Sequence, residues 1–280
     1  MNKAKEHLKE IENLVKELAT ETDKVKLSEK FKEYLNFMAK FHNYSWFNTF
    51  WIMAQKPNAE RVAGFKKWNE LKRTIRKGEH GIKIIYPIRK EYEKENENGE
   101  TEQQEFIYFN VGYVFDIKQT EGKELPTIES PSVDGDNYYY LLDVLRDFCK
   151  DNNITLEFKA LLQNALYGYT RKKDKDIIIT IKEQDNKNTQ AQTLMHEITH
   201  ALEHTPKEER QTTRQQEEIQ ADGVGYVVSR YFKMEHKGFN YLALYDADYK
   251  KIMDNFKAIA KVSKKLINYI EEKMIKRIEV

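Results

Sequence analysis

Cysteine is nearly missing from this 280-residue chain. Cys149 stands alone, which excludes an internal disulfide framework and any cysteine-based zinc cluster. No continuous apolar run reaches the roughly 18 residues that a membrane-spanning helix needs. The N-terminal stretch MNKAKEHLKEIENLVKEL mixes charged and apolar residues without the apolar centre of a signal peptide, so the sequence predicts a soluble, cytoplasmic protein. Net charge is also lacking: Lys+Arg 47 against Asp+Glu 46 leaves +1, and bulk charge therefore selects no partner. Internal repeats are absent too. What remains is 40% hydrophobic and 12% aromatic, enough for real cores, under surfaces that take most of a 33% charged fraction.

The neutral total hides an asymmetry. Residues 1–90 carry 20 Lys/Arg and 11 Asp/Glu, a net +9, which leaves −8 for residues 91–280. A basic front and an acidic back suggest two units with different partners. Residues 121–136 contain two prolines and two glycines without periodicity and read as the linker region, giving domains at 1–125 and 137–280 joined by 126–136.

Helical spacing marks residues 4–18 (Leu8, Ile11, Val15, Leu18) and 27–38 (Leu27, Phe31, Leu35, Met38). Ser45 is placed to cap an aromatic-rich helix from Trp46 that must end before Pro57, and a short helix follows Gly64. Residues 73–87 read as two strands around a Gly78–Gly81 turn, and 106–117 as another strand. Between them, residues 91–105 hold seven Glu and one Lys, the pattern of a solvated loop or hairpin tip. The second half predicts a helix near 138–150, short strands at 155–158, 166–170 and 176–181, and helices at 189–204, 211–233 and 246–276. The fold class is α+β: a small helical and β domain, then a domain with a short sheet and long helices.

The sharpest motif is His196-Glu197-Ile198-Thr199-His200, preceded by good helix formers. On a helix, positions i and i+4 share one face, so both imidazoles can bind one ion while Glu197 sits beside it as a base. The chain's own usage yields about 0.02 such matches by chance. A third ligand is expected from the next helix, where Glu218 lies 18 residues beyond His200; Glu217 is a fallback. Asp222, one turn after Glu218, would then accept a hydrogen bond from a ligating histidine. Two histidines and a carboxylate make a zinc site with one open position, suited to activating water for peptide hydrolysis. His204 reads as a solvated histidine at the helix end or an oxyanion donor, and Tyr167, Tyr169 and Tyr226 as packing or electrophilic helpers.

Residues 56–90 hold 11 Lys/Arg and three acids with Phe65, Trp68 and Tyr86 interleaved, and Trp46, Phe47, Phe50 and Trp51 stand upstream. Cations that track phosphates and rings that stack bases are the composition of a single-strand groove. The expected contacts are Trp46, Lys66, Lys67, Trp68, Arg73, Arg76, Lys77 and Lys83, although rings at helical spacing also suit a core and clustered cations a solvated face.

The stretches 45–48, 55–57, 62–68, 77–82, Pro87 and 114–120 together resemble the N-terminal single-stranded-DNA-binding domain of ArdC-type antirestriction proteins. The HEITH…EEIQAD half resembles the zincin-like metallopeptidase domain that follows it there, akin to ImmA/IrrE metallopeptidases. The resemblance implies a protein of mobile DNA (conjugative element, plasmid or phage) that guards incoming single strands against host restriction. It implies zinc at His196, His200 and Glu218, Glu197 as catalytic base, and a place for Asn48 among the DNA contacts. Related sequences often carry a glycine where Lys72-Arg73 stands. Two other readings stay open: a DNA-binding protein whose zinc is purely structural, and a cytoplasmic protease that cleaves a regulatory protein.

Overall fold

The structure, a computed structural model, describes residues 3–20, 24–95, 101–125, 139–162, 167–183, 186–204, 212–234, 236 and 249–278. The expected linker 126–136 and the start of the strand expected at 166 lie outside them. Packing divides the chain into two units, one formed by residues 1–16 with 47–126 and the other by 17–46 with 127–280. Among the described residues no helix is long and apolar enough to cross a membrane.

The first unit contains most of α1 (Lys3–Ala19), then α3 (Trp46–Gln55), β1 (Val62–Ala63), α4 (Phe65–Glu70), β2 (Arg73–Ile75), β3 (Ile82–Glu95), β4 (Thr101–Asp116) and β5 (Thr120–Gly122). The strands β3 and β4 pair antiparallel from Ile82↔Val114 out to Glu95↔Thr101, so the acidic stretch forms the far arms of one long hairpin. The two strands expected around Gly78–Gly81 both exist but do not pair with each other. Instead β2 pairs with β5 and β3 with β4, because each finds a partner from beyond the hairpin rather than across the turn.

Side-chain amides close the outer edge of β3. The Asn48 Nδ2 donates to Ile85 O at 2.7 Å while Ile85 N donates back to Asn48 Oδ1 at 2.9 Å. Two helical turns later Gln55 repeats the exchange with Lys83, at 2.9 Å in both directions. An exposed strand edge invites foreign pairing, and here a helix stands where a further strand would. The next residue whose N–H would face that edge is Pro87, which has none.

A second knot ties the turns together. The buried Asp116 accepts from Glu60 N, Arg61 N and Lys118 N, and Gln119 accepts from Asp116 N while donating to His80 O and Glu79. Trp68 is 1% exposed and its Nε1 donates to Phe115 O at 2.9 Å. Lys72 adopts φ 58°, the left-handed conformation that glycine takes without strain.

The second unit contains α2 (Lys24–Lys40), α5 (Tyr139–Asp151), β6 (Ile154–Lys159), β7 (Gly168–Lys173), β8 (Asp176–Lys182), α6 (Lys187–Thr199), α7 (Arg214–Tyr231) and α8 (Tyr249–Ile278). Its sheet has the order β6-β8-β7, with β6 parallel and β7 antiparallel to β8. The helix α2, expected within the first domain, packs on α7 here, with Phe31 and Tyr34 against Phe256 of α8. The stripe Ile252, Phe256, Ile259, Val262, Leu266 and Ile270 of α8 is buried throughout, as its spacing predicts.

Replacing Asn48 with Ala leaves the buried polar groups of Ile85 unpaired, and each such group costs about 1–3 kcal/mol. We expect Asn48→Ala to lower the thermal midpoint of the first unit in calorimetry, with the second unit's transition unchanged.

Candidate metal centre

The helix α6 begins at Asn186, whose side chain accepts from Thr189 N at 3.0 Å. Ala191, Leu194, Met195 and Ile198 bury one face of it, and the helix packs on β7, β8, α5 and α7. The remaining face carries His196 and His200. Helix α7 opens with a capping box between Thr213 and Gln216, and Glu218 and Asp222 follow on its second and third turns.

These elements bring the expected residues together. Nε2 of His196 and Nε2 of His200 lie 3.0 Å apart. The Glu218 carboxylate is 3.4 Å from His196 Nε2 and 3.8 Å from His200 Nε2. Tetrahedral ligands at 2.0–2.1 Å from a zinc ion are about 3.3 Å from one another, so this triad fits such an ion without rearrangement of the helices. On the other side of its ring, His196 Nδ1 meets Asp222 Oδ1 at 2.9 Å, the contact expected of Asp222.

The charges follow the geometry. Burial opposes the imidazolium of His196, but the hydrogen bonds to Asp222 and Glu218 outweigh it and push its pKa up to about 10. Burial and the charge of His196 bring His200 down to about 4. The hydrogen bond from His196 lowers Glu218. Glu197 is buried and its pKa is raised by desolvation.

Two side chains, Glu217 and His204, sit differently from the sequence expectation. Glu217, the fallback ligand, is buried and accepts from Thr212 Oγ1 at 3.0 Å, outside the cluster of His196, His200 and Glu218. Tyr226 takes the packing role of its two readings: it is buried and donates to Asn36 Oδ1 at 2.8 Å, between α7 and α2. His204 is neither solvated nor free to face an oxyanion. The chain beyond His200 runs as a π-helical turn, which places His204 Nδ1 3.0 Å from His200 Nδ1 and His204 Nε2 2.9 Å from Gln220 Oε1. Gln220 Nε2 continues the line by donating to Asn255 Oδ1 at 2.9 Å. Tyr167 is exposed and Tyr169 half-buried on β7.

Thr170 was missing from the sequence reading. Its hydroxyl lies 2.8 Å from Glu197 Oε2 and 3.0 Å from Glu197 O, and it orients the carboxylate. Gly168 explains how the strand comes so close: a Cβ there would meet Thr193 at 2.7 Å and Glu197 Cγ at 3.2 Å. A glycine two residues before a threonine, in a strand leading to the HExxH helix, is a faint signal at best.

The expected DNA contacts divide. Lys66, Lys67, Arg76 and Lys77 are exposed and Trp46, Arg73 and Lys83 half-buried. Asn48 and Trp68 are buried and committed to backbone groups, so neither is open to DNA. The Arg73 guanidinium is spent on β5 and its flank, at Thr120, Gly122 and Lys123.

The model of the N-terminal domain of anti-restriction factor ArdC matches residues 4–115, and that of the IrrE N-terminal-like domain residues 149–269. An uncharacterized protein of Bacillus anthracis is 25% identical over 315 aligned positions, covering 97% of this chain and 53% of that protein, so the chain spans about half the length of this curated relative. The crystal structures of the antirestriction ArdC protein from the R388 plasmid, metal-free and Mn(II)-bound, have 18% and 17% identity. Each has a TM-score of 0.48 over 82% of this chain and 84% of that one.

Replacing the carboxylate that orients a metal-binding histidine typically costs 10- to 100-fold in affinity. Asp222→Asn is expected to weaken zinc binding by about that factor in chelator competition, with the folded state retained.

Proposed function

The chain is an ArdC-type protein, an ArdC N-terminal domain followed by an IrrE-like domain, and from this premise we propose that it binds single-stranded DNA and protects it from restriction. We assign to its second domain a zinc site able to support peptide hydrolysis. The observation that carries this part is the convergence of His196, His200 and Glu218 within 4.8 Å, with Glu197 buried beside them and Asp222 behind His196.

His196, His200 and Glu218 would hold the ion, which when bound polarises a water or carbonyl at its open position. Glu197 is the proton carrier. Thr170 occupies one of its carboxylate oxygens and leaves the other to take a proton and return it. Burial raises its pKa, the direction that a carboxylate taking up and returning a proton needs. Asp222 and His204 fix the tautomers of the two histidines, each by engaging the ring nitrogen that faces away from Glu218. A purely structural ion would need no buried, oriented carboxylate outside its ligand set, and Glu197 therefore favours chemistry.

On the DNA side the support is the basic segment 56–90, whose exposed Lys66, Lys67 and Lys77 suit phosphates. In the full chain, Glu197→Gln is expected to keep zinc and single-strand affinity unchanged while abolishing peptide cleavage. Anisotropy with labelled oligonucleotides over a salt series, alongside a protease assay on a peptide library, checks both halves. Retained cleavage in this variant would remove Glu197 from its role, and salt-independent or absent binding would remove the DNA reading.

A further inference from the structure

The hairpin of β3 and β4 carries more exposed aromatic and aliphatic surface than its own packing uses. Phe106, Ile107, Phe109, Tyr113, Tyr86 and Tyr92 are each at least 40% exposed. The register sorts the central residues onto two faces. On one, Phe106 stacks on Tyr108, Lys90 lies over the Tyr108 ring at 5.8 Å, and Tyr86 lies beside Gly112. On the other, β4 presents Tyr113, Val111, Phe109 and Ile107 opposite Lys83, Ile85, Pro87 and Arg89 of β3. Ile85 is buried, so the open stripe lies on the β4 side.

Two features make that second stripe a platform. Tyr113 is 57% exposed, yet its Cβ and ring edge lie where a Cβ on Gly81 would be, at 2.9 and 3.0 Å, so the absence of a side chain there seats the ring. A ring held along one edge and open on its face loses little entropy when something stacks on it. Phe109, four residues along the same strand, is 48% exposed. A cation flanks each end: Lys83 is directly opposite Tyr113 and Arg89 opposite Ile107. Beyond Arg89 the facing pair is Glu91↔Glu105; Glu105 Oε1 lies 3.3 Å from the exposed Arg89 guanidinium, a surface ion pair that a phosphate would replace, and the two acids end the stripe.

From Lys83 to Pro87 the outer edge of β3 is closed to a protein strand. Gln55 and Asn48 occupy the outer edge of β3 at Lys83 and Ile85, and Pro87 offers no donor. On β4, the N–H of Val111 is taken by the Asn110 side chain at 2.8 Å. Along that stretch the hairpin offers a side-chain surface of rings between cations.

The geometry points to Tyr113 and Phe109 as the base-stacking platform for single-stranded nucleic acid, with Lys83 and Arg89 as its phosphate contacts. The stripe from Lys83 to Arg89 runs about 20 Å, room for a few nucleotides. This rests on the DNA reading above and moves the stacking role from the α3 and α4 tryptophans to the hairpin.

The test uses the full chain and a fluorescein-labelled oligothymidylate, read by anisotropy across a salt series. Replacing both rings by Leu (Tyr113→Leu with Phe109→Leu) keeps apolar area and removes stacking. Its Kd is expected to rise about 10- to 100-fold, with the salt slope unchanged because the phosphate contacts remain. Trp at both positions should restore wild-type affinity, which also decides the matter if the Leu variant is poorly folded. A double-Leu variant that binds like the wild type, beside a wild type that binds with a steep salt slope, overturns the platform and leaves the DNA reading standing; the rings would then serve another contact such as a protein. No binding by the wild type overturns both.

Discussion

The second unit is organised around holding the Glu218 carboxylate 3.4 Å from one imidazole and 3.8 Å from another. Glu218 sits on a different helix from His196 and His200, so the approach of α7 to α6 fixes the cluster. The rest of the unit enforces that approach. The strands β7 and β8 back α6, and α8 and α2 back α7, whose core positions from Ile219 to Val228 are sealed from water. Dense packing of this kind transmits small displacements rather than absorbing them. Loosening α2 or α8 should therefore be felt at a site that neither helix touches with a ligand.

Legibility from sequence followed the physics of each feature. The histidine pair, Glu218 and Asp222 were readable because helix geometry alone puts i and i+4 on one face. The α8 stripe was readable for the same reason. Strand partners were not: β2 and β3 look like neighbours in sequence, and only non-local pairing sends each to another strand. Composition was weakest in the basic front, because it cannot tell a ring in the core from a ring in solvent. Trp68 and Asn48 matched a DNA-binding pattern and proved to be internal supports, whereas Phe109 and Tyr113, inside a strand that read only as apolar, are among the open rings. His204 and Thr170 were hidden by a π-helical turn and by a contact between strand and helix, neither of which leaves a periodic trace.

The motifs that carried the family resemblance in the first unit are largely architectural. Asp116 and Gln119 gather three turns, with Glu79 and His80 from the Lys77–Ile82 motif among their partners. Trp68, from the preceding motif, hydrogen-bonds the strand that leads into them. Their spacing is thus set by a hydrogen-bond knot, and surface residues between them are freer to vary than the motif positions.

The paired carboxamides of Asn48 and Gln55 have one more consequence. In a two-stranded ribbon, a slip of one residue would send every side chain to the opposite face. By reading Ile85 and Lys83 from outside the sheet, two amides on one helix face index the strand against a rigid ruler. They thereby choose which side of the hairpin shows Tyr113 and Phe109, from positions that touch neither ring's exposed face.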